Sequence, residues 1–376
     1  MEKEMLQDRA WLEINLNNLE NNINEIRKTI PSKTKIMAVV KANAYGHGII
    51  DISKKLEQIG IQDFAVATLQ EAITLRQNRI KGNILILGFT SIENLHYVID
   101  YDLIQTIVDE EYAEKILNLS YNKKIKVHIK VNTGMNRIGI NYKNINFIKE
   151  LYLSNKIDVL GIFSHLSVSD SNDQEDIDFT KMQISRFNDL IKKLKTDMID
   201  VGKTHLQSSY GILNYPELEY DYVRPGIIMY GIHSEKNMTT KVKLNIKPVL
   251  SLKAKITDVK EINENDSVSY GRKYIALQRE KIASVSIGYA DGYPRNLSCK
   301  NVSVLINNHY AQIIGRICMD QLIIKIKNLD VKQGDIVTLI GEREKISAET
   351  IANCSNTITN ELLSRLGERL IRITDE

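Results

Sequence analysis

Eight short runs of apolar and β-branched residues punctuate the first part of this 376-residue chain: Ile36–Val40, Phe64–Ala67, Ile84–Leu87, Leu103–Val108, Ile125–Val131, Val159–Phe163, Lys203–Leu206 and Tyr222–Arg224. Runs this apolar do not divide into a wet and a dry face, so they read as strands covered on both sides. The stretches between them carry helical spacing. Leu16, Leu19, Ile23, Ile26 and Ile30 recur at threes and fours behind Asn17, which that spacing makes the N-cap. Strands alternating with helices over roughly 200 residues predict a parallel (β/α)8 barrel of the TIM type, an α/β fold.

The pattern changes near Pro248. Leu250, Leu252, Ala254 and Ile256 alternate strictly, and Val304-Leu305-Ile306-Asn307-Asn308-His309 reads as strand and hairpin turn. Ala311–Ile317, Leu322–Ile326 and Ile336–Ile340 follow without long helices between them. The expectation is a barrel over residues 1–245, whose N-terminal strand is a candidate to join the second domain, and a mostly β C-terminal domain over 246–376.

A net charge of only +3 and the lack of an aromatic-interleaved basic stripe argue against a nucleic-acid surface. Cys299, Cys318 and Cys354 form no CxxC pair, and so sparse a set suits a reducing compartment. The seven histidines show no tight ligand spacing, so no metal is expected. No apolar run approaches the roughly 18 to 20 residues of a membrane helix, and Met1–Arg9 is too charged for a signal peptide. A cytoplasmic location is the expectation, either alone or as the cytoplasmic part of a longer membrane protein.

The chemistry begins at Ala38-Val39-Val40-Lys41-Ala42-Asn43-Ala44-Tyr45-Gly46-His47-Gly48, where an apolar strand delivers one lysine into a glycine-punctuated turn. Two readings stand for Lys41 on this segment alone: an amine that forms a Schiff base with a carbonyl cofactor, or a snorkelling side chain that ends a barrel strand. The turn lacks the G-x-x-x-x-G-K spacing of a phosphate loop.

The segment resembles the pyridoxal 5'-phosphate attachment motif of the alanine racemase family, and the likeness runs through nearly the whole chain. The resemblance implies that Lys41 carries the cofactor and serves one face of the substrate α-carbon. Tyr270, in Val268-Ser269-Tyr270-Gly271, resembles the tyrosine that serves the other face. A phenol with an ordinary pKa of about 10 is a poor base at neutral pH, so such a tyrosine needs cationic or donating neighbours. His165, at the end of the sixth strand, resembles the histidine between that tyrosine and an arginine, and Arg224, in Val223-Arg224-Pro225-Gly226, resembles the arginine that faces the pyridine nitrogen. Tyr45, Ser208, Gly226 and Ile227 stand at the family's phosphate positions.

Arg137 resembles the arginine that grips the substrate carboxylate, Lys130 a lysine that is often carbamylated in the family, and Met319 the residue whose backbone N–H also binds the carboxylate. Tyr289 resembles an inner gate tyrosine, with Asp170, Arg295, Arg316 and Ile358 at outer gate positions. A head-to-tail homodimer is implied, in which Tyr270 reaches the other subunit's Lys41. The chain also departs from the family. The usual DTGMGR reads Asn132-Thr133-Gly134-Met135-Asn136-Arg137, Gln207 stands in place of an asparagine, and Asn360 stands in place of a tyrosine beside the substrate side chain.

Asparagine at 360 removes a ring and supplies an amide that both donates and accepts, which suits a hydroxyl-bearing side chain. With Gln207-Ser208-Ser209-Tyr210, it makes the chain similar to the serine racemase domain of VanT-type vancomycin-resistance proteins. The function expected is racemisation of serine and alanine for cell-wall precursors. The alternatives are an ordinary alanine racemase, a decarboxylase or aldolase on the same barrel, and a non-catalytic barrel protein of cofactor homeostasis, which would lack the β domain.

Overall fold

The computed structural model describes residues 7–327 and 329–375. A strand β1 (Ala10–Asn15) runs straight into a helix over Leu16–Thr29. The N-cap is Asn15 rather than the expected Asn17: Asn15 keeps extended dihedrals and its side chain accepts the Asn18 N–H at 2.8 Å. No loop separates strand from helix, so the last residue of the strand becomes the cap and Asn17 falls inside the first turn.

The expected barrel strands are β2 (Lys35–Val39), β3 (Asp63–Val66), β4 (Asn83–Ile86), β5 (Ile104–Ile107), β6 (Ile125–Asn132), β8 (Ile157–Phe163), β9 (Lys203–Ser208) and β10 (Tyr222–Arg224); a short β7 (Ile140–Asn141) pairs beside β6. They lie in the order β5-β4-β3-β2-β10-β9-β8-β6 and close through β5–β6, every pair parallel. Alternation along each strand divides the apolar residues. Met37, Val39, Ala65, Leu85 and Ile104 face into the barrel, while Ile36, Ala38, Phe64, Val66, Ile84 and Ile86 join the larger core under the helices. Both faces of these strands are therefore buried, which is why the sequence shows continuous apolar runs.

The second domain is built on β11 (Leu250–Ile262), long enough to take β1 over Leu250–Ala254, β18 (Ile336–Ile340) over Leu252–Lys255 and β14 (Glu280–Val285) over Ile256–Ile262. With β15 (Ser303–Ile306), β16 (His309–Ile314) and β17 (Leu322–Lys325) the order is β14-β17-β16-β15-β18-β11-β1-β19, β19 being Ile371–Asp375. The hairpin expected at Asn307-Asn308 joins β15 to β16, and both asparagines take positive φ, 46° and 65°, as a two-residue turn of that kind requires. The N-terminal strand thus belongs to this sheet. A separate pair, β12 (Ser267–Val268) and β13 (Tyr274–Ile275), projects the Tyr270 turn.

Candidate active site

The C-terminal ends of the barrel strands surround a cavity of about 470 Å³. Lys41, Tyr45, Lys130, Arg137, His165, Ser208, Arg224, Gly226, Ile227 and Asn360 all line it, so most of the residues singled out in the sequence meet at one place. Lys41 follows β2 after the single residue Val40. Burial lowers its amine pKa first, Arg137 and Arg224 push it further down, and Glu71 opposes them. The residues after it form a left-handed turn, with φ of 53° at Ala42, Asn43 and Ala44 and 52° at Tyr45. Outside glycine that conformation costs about 1 to 2 kcal/mol per residue, so the turn must be held from outside.

Arg224 forms the floor. Its guanidinium donates to His205 Nδ1 (2.6 Å), His165 Nδ1 (3.2 Å) and the Ser164 and Leu206 carbonyls (2.8 and 3.0 Å). Burial pushes its pKa down to about 9, which still leaves it protonated at neutral pH, and every partner is an acceptor suited to the charged form. The Phe163 ring stacks on His205 at 4.6 Å, with Arg224 at 5.2 Å and the Lys130 amine at 5.6 Å from the same ring. His165 and His205 are held well below the usual histidine range, first by burial and then by Arg224.

Lys130 is buried, donates to the Val131 carbonyl at 2.8 Å, and has its amine pKa lowered to about 7 by burial, Arg224 and Arg137. The two unusual asparagines build the loop beneath Arg137. Asn132 Oδ1 accepts the N–H groups of Gly134 and Asn136, both at 3.1 Å, as an aspartate would, and its amide donates to Asn136 Oδ1 at 2.9 Å. Asn136 sits at φ 56°, where the family's glycine is free and asparagine is the best tolerated alternative. Gln207 is buried and donates to the Tyr215 carbonyl at 2.8 Å, away from the cavity lining.

These residues fit pyridoxal 5'-phosphate. A Cβ on Gly226 would stand 2.6 Å from the Tyr45 hydroxyl, so glycine alone lets the end of β10 approach that group, and the Gly226 N–H donates to Ser209 Oγ at 3.0 Å. Tyr45, Ser208, Ser209 and Tyr210 bring hydroxyl-bearing side chains to the same cavity that Arg224 and Lys41 line. Asn360 enters from the helix Thr359–Ser364, and its Oδ1 is buried without a hydrogen-bond partner among the described residues.

Tyr270, Met319 and Tyr289 do not line this cavity. Tyr270 and Met319 instead line a second hollow of about 630 Å³ on the β domain, and they are 70% and 53% exposed. Ser269, at φ 63°, fixes the turn by donating from Oγ to the Arg316 carbonyl at 2.5 Å. The Tyr289 and Ala290 N–H groups donate to the Cys318 and Met319 carbonyls at 3.1 and 3.0 Å, which docks the Tyr289 turn on the Met319 loop. Of the outer gate positions, Asp170 lines the barrel cavity, Arg316 lies against Gly271, Arg295 lines a separate cleft, and Ile358 is exposed. The sequence reading missed Phe163 and Glu71, and cited Ser209 only within the Gln207-Ser208-Ser209-Tyr210 stretch. A T-x-x-E capping pattern marks Glu71 as a helix start, yet nothing in it signals reach to the Lys41 turn.

Residues 14–234 match the family profile of the alanine racemase N-terminal domain and residues 249–374 that of its C-terminal domain. An amino-acid racemase of Enterococcus faecalis is 44% identical over 96% of this chain, which spans only 51% of that relative. An alanine racemase of Methanococcus maripaludis is 38% identical, covering 98% of this chain and 99% of its own length. The structure of the Clostridium difficile 630 alanine racemase superposes with a TM-score of 0.91 at 38% identity, over 98% of this chain and 96% of that one. Barrel, β domain, the cavity around Lys41 and these likenesses agree: the chain belongs to the alanine racemase family, whose cofactor is pyridoxal 5'-phosphate.

Proposed function

We propose that the chain is an amino-acid racemase acting on serine and alanine, with the cofactor on Lys41 and with Lys41 and Tyr270 as the two proton-transfer groups. Inversion needs a proton removed on one face of the α-carbon and delivered on the other, since one base returns the proton to the side it left. The cofactor, when bound, withdraws the electron pair left at that carbon. Lys41 is suited to one face because burial and Arg137 favour its neutral amine. Tyr270 is suited to the other only if it comes from a second copy, because in one copy it lies on the β-domain hollow and not in the barrel cavity. A head-to-tail homodimer satisfies this, with the barrel over 1–245 and the β domain over 246–376 exchanging faces.

Arg137 would hold the substrate carboxylate together with the Met319 N–H of the second copy. Lys130, once carbamylated, would turn from a repelling cation into an anion that braces Arg137. Arg224 has no acceptor to offer, so it would keep a facing ring nitrogen of the cofactor unprotonated and weaken its pull on electrons. That favours rapid return of a proton to the α-carbon over transamination. His165, accepting from Arg224 at Nδ1, would stand between that arginine and the second copy's Tyr270 and donate to it from Nε2, and Tyr289 would narrow the access path.

The observation that carries serine as substrate is the buried Asn360 Oδ1, without a hydrogen-bond partner among the described residues, in the same cavity as Lys41. A substrate hydroxyl would satisfy it; a methyl group would not. Racemisation measured across a panel of L-amino acids tests the substrate class, and borohydride reduction followed by peptide mapping tests the attachment to Lys41. The D-amino acids formed would serve cell-wall precursors, and the Enterococcus relatives' greater length fits a racemase domain within a longer protein.

A further inference from the structure

The Lys41 turn is held from two directions. On the barrel side the Glu71 carboxylate accepts the Ala42 N–H at 2.6 Å through one oxygen and the Ala67 and Thr68 N–H groups at 2.8 and 3.2 Å through the other. It therefore ties the start of the left-handed turn to the end of the neighbouring strand β3. On the opposite side Arg372, on β19 of the second domain, donates from Nε to the Gly46 carbonyl at 2.8 Å, while its other nitrogens hold the Leu370 and Leu366 carbonyls at 3.0 and 3.2 Å. A side chain at Gly46 would overlap the Leu363 carbonyl, so the turn lies directly on the second domain. Inside it, Asn43 Oδ1 accepts the Ile49 N–H at 2.8 Å and starts the next helix.

Consecutive left-handed residues without glycine are not self-supporting, because each Cβ crowds the following carbonyl. We propose that Glu71 and Arg372 are positioning residues that hold this turn, and through it the reach of Lys41 and Tyr45 into the barrel cavity. Neither lines that cavity. Glu71 also caps the N-terminus of the helix Leu69–Gln77 through a capping box with Thr68, which is the plain structural role from which this one must be separated. The inference rests on the reading that Lys41 carries the cofactor.

The experiment compares Glu71→Gln, Ala42→Gly and the double variant. Glutamine keeps the volume but cannot accept backbone N–H groups through both of its terminal atoms. Loss of one charge-assisted bond to the turn should weaken the apparent affinity for pyridoxal 5'-phosphate by about tenfold to a hundredfold. Affinity is read from the visible band of the attached cofactor, alongside the fraction fixed to the Lys41 peptide by borohydride. Ala42 is exposed and glycine has no left-handed penalty, so Ala42→Gly in the Glu71→Gln background should recover most of that loss. A helix-capping role would not respond to glycine at position 42.

Should Glu71→Gln fail to fold by circular dichroism, Arg372→Gln carries the same expectation and the same rescue. Wild-type cofactor affinity in the folded variant, or a loss that Ala42→Gly leaves untouched, overturns the proposal. Fixation of the cofactor to a different lysine in the unmodified chain would instead overturn the assignment of Lys41, an outcome that peptide mapping separates from the first.

Discussion

Replacing Asn360 with leucine keeps its approximate volume and removes both polar atoms, which isolates the contribution of its carboxamide to substrate choice. In the structure that group reaches the Lys41 cavity with Oδ1 buried and without a partner among the described residues, a situation that costs about 1 to 3 kcal/mol until a donor arrives. A serine hydroxyl supplies one and an alanine methyl does not, so the serine-to-alanine ratio of kcat/KM should carry about 1.4 kcal/mol from this contact, or about tenfold. Asn360→Leu should lower that ratio about tenfold, mainly through serine. Asn360→Tyr, which adds a ring where the hydroxymethyl group would lie, should lower it further while alanine turnover persists. Initial racemisation rates for both L-enantiomers, followed by chiral separation, give the ratios directly. A ratio within twofold of the parent in both variants would refute the reasoning, and the cavity serines would then be the next place to seek the preference.

Mixing inactive Lys41→Ala with inactive Tyr270→Ala subunits should restore part of the activity, since each mixed dimer holds one intact pair; no recovery after demonstrated subunit exchange would place both groups in one chain. Lys130, with its amine pKa near 7, is largely neutral just above neutral pH, and the neutral amine adds CO2 to give a carbamate and a proton. Labelled bicarbonate should therefore give a carbamate carbon signal by NMR that vanishes in Lys130→Arg, and a signal unchanged in that variant would rule out this lysine. Stability should fall on acidification below about pH 6.5: the pKa values of His47 and His128 are lowered to about 4 and about 3, so the unfolded chain takes up protons first, and each contributes a loss of about 1.4 kcal/mol per pH unit until its folded pKa is reached. A thermal midpoint flat between pH 7 and pH 5 would contradict this, and His128→Gln should flatten the dependence.

The barrel was legible because a strand covered on both faces writes a continuous apolar run, and the hairpin at Asn307-Asn308 because few residues tolerate positive φ in succession. Lys41 and His165 were legible as polar groups at the ends of apolar strands, whereas Arg137 and Arg224 were singled out through the resemblance to the family. The conformation after Lys41 was not. Glycines at 46 and 48 mark a turn, but alanine, asparagine and tyrosine in left-handed geometry follow from contacts with Glu71 and Arg372, distant along the chain and silent in local propensity. The shift of the helix cap to Asn15 has a similar origin. Several asparagines crowd the segment after β1, and only the pairing of β1 with β11 and β19 decides where the strand stops.

The electrostatics of the cavity follow from one property of Arg224, that it can only donate. Because it donates to His205 Nδ1, the proton of that neutral ring must sit on Nε2, which lies 2.8 Å from His128 Nδ1 and makes that atom an acceptor in turn. His165 accepts at Nδ1 as well, so its proton also sits on Nε2. The histidines are thereby kept neutral, and the positive charge resides chiefly on Arg137 and Arg224, the amines of Lys41 and Lys130 both being drawn toward their neutral forms. Among the described residues that line the cavity, Asp170 is the one carboxylate set against these groups. Arg137 is, after burial, the main influence lowering the Lys41 pKa, so a carboxylate bound at Arg137 cancels part of that influence and raises the basicity of Lys41. If Arg137 holds the substrate carboxylate and Lys41 is the base, as proposed, binding of the amino acid would strengthen that base before the α-proton is removed, whereas an amine ligand without a carboxylate would leave it as weak as before.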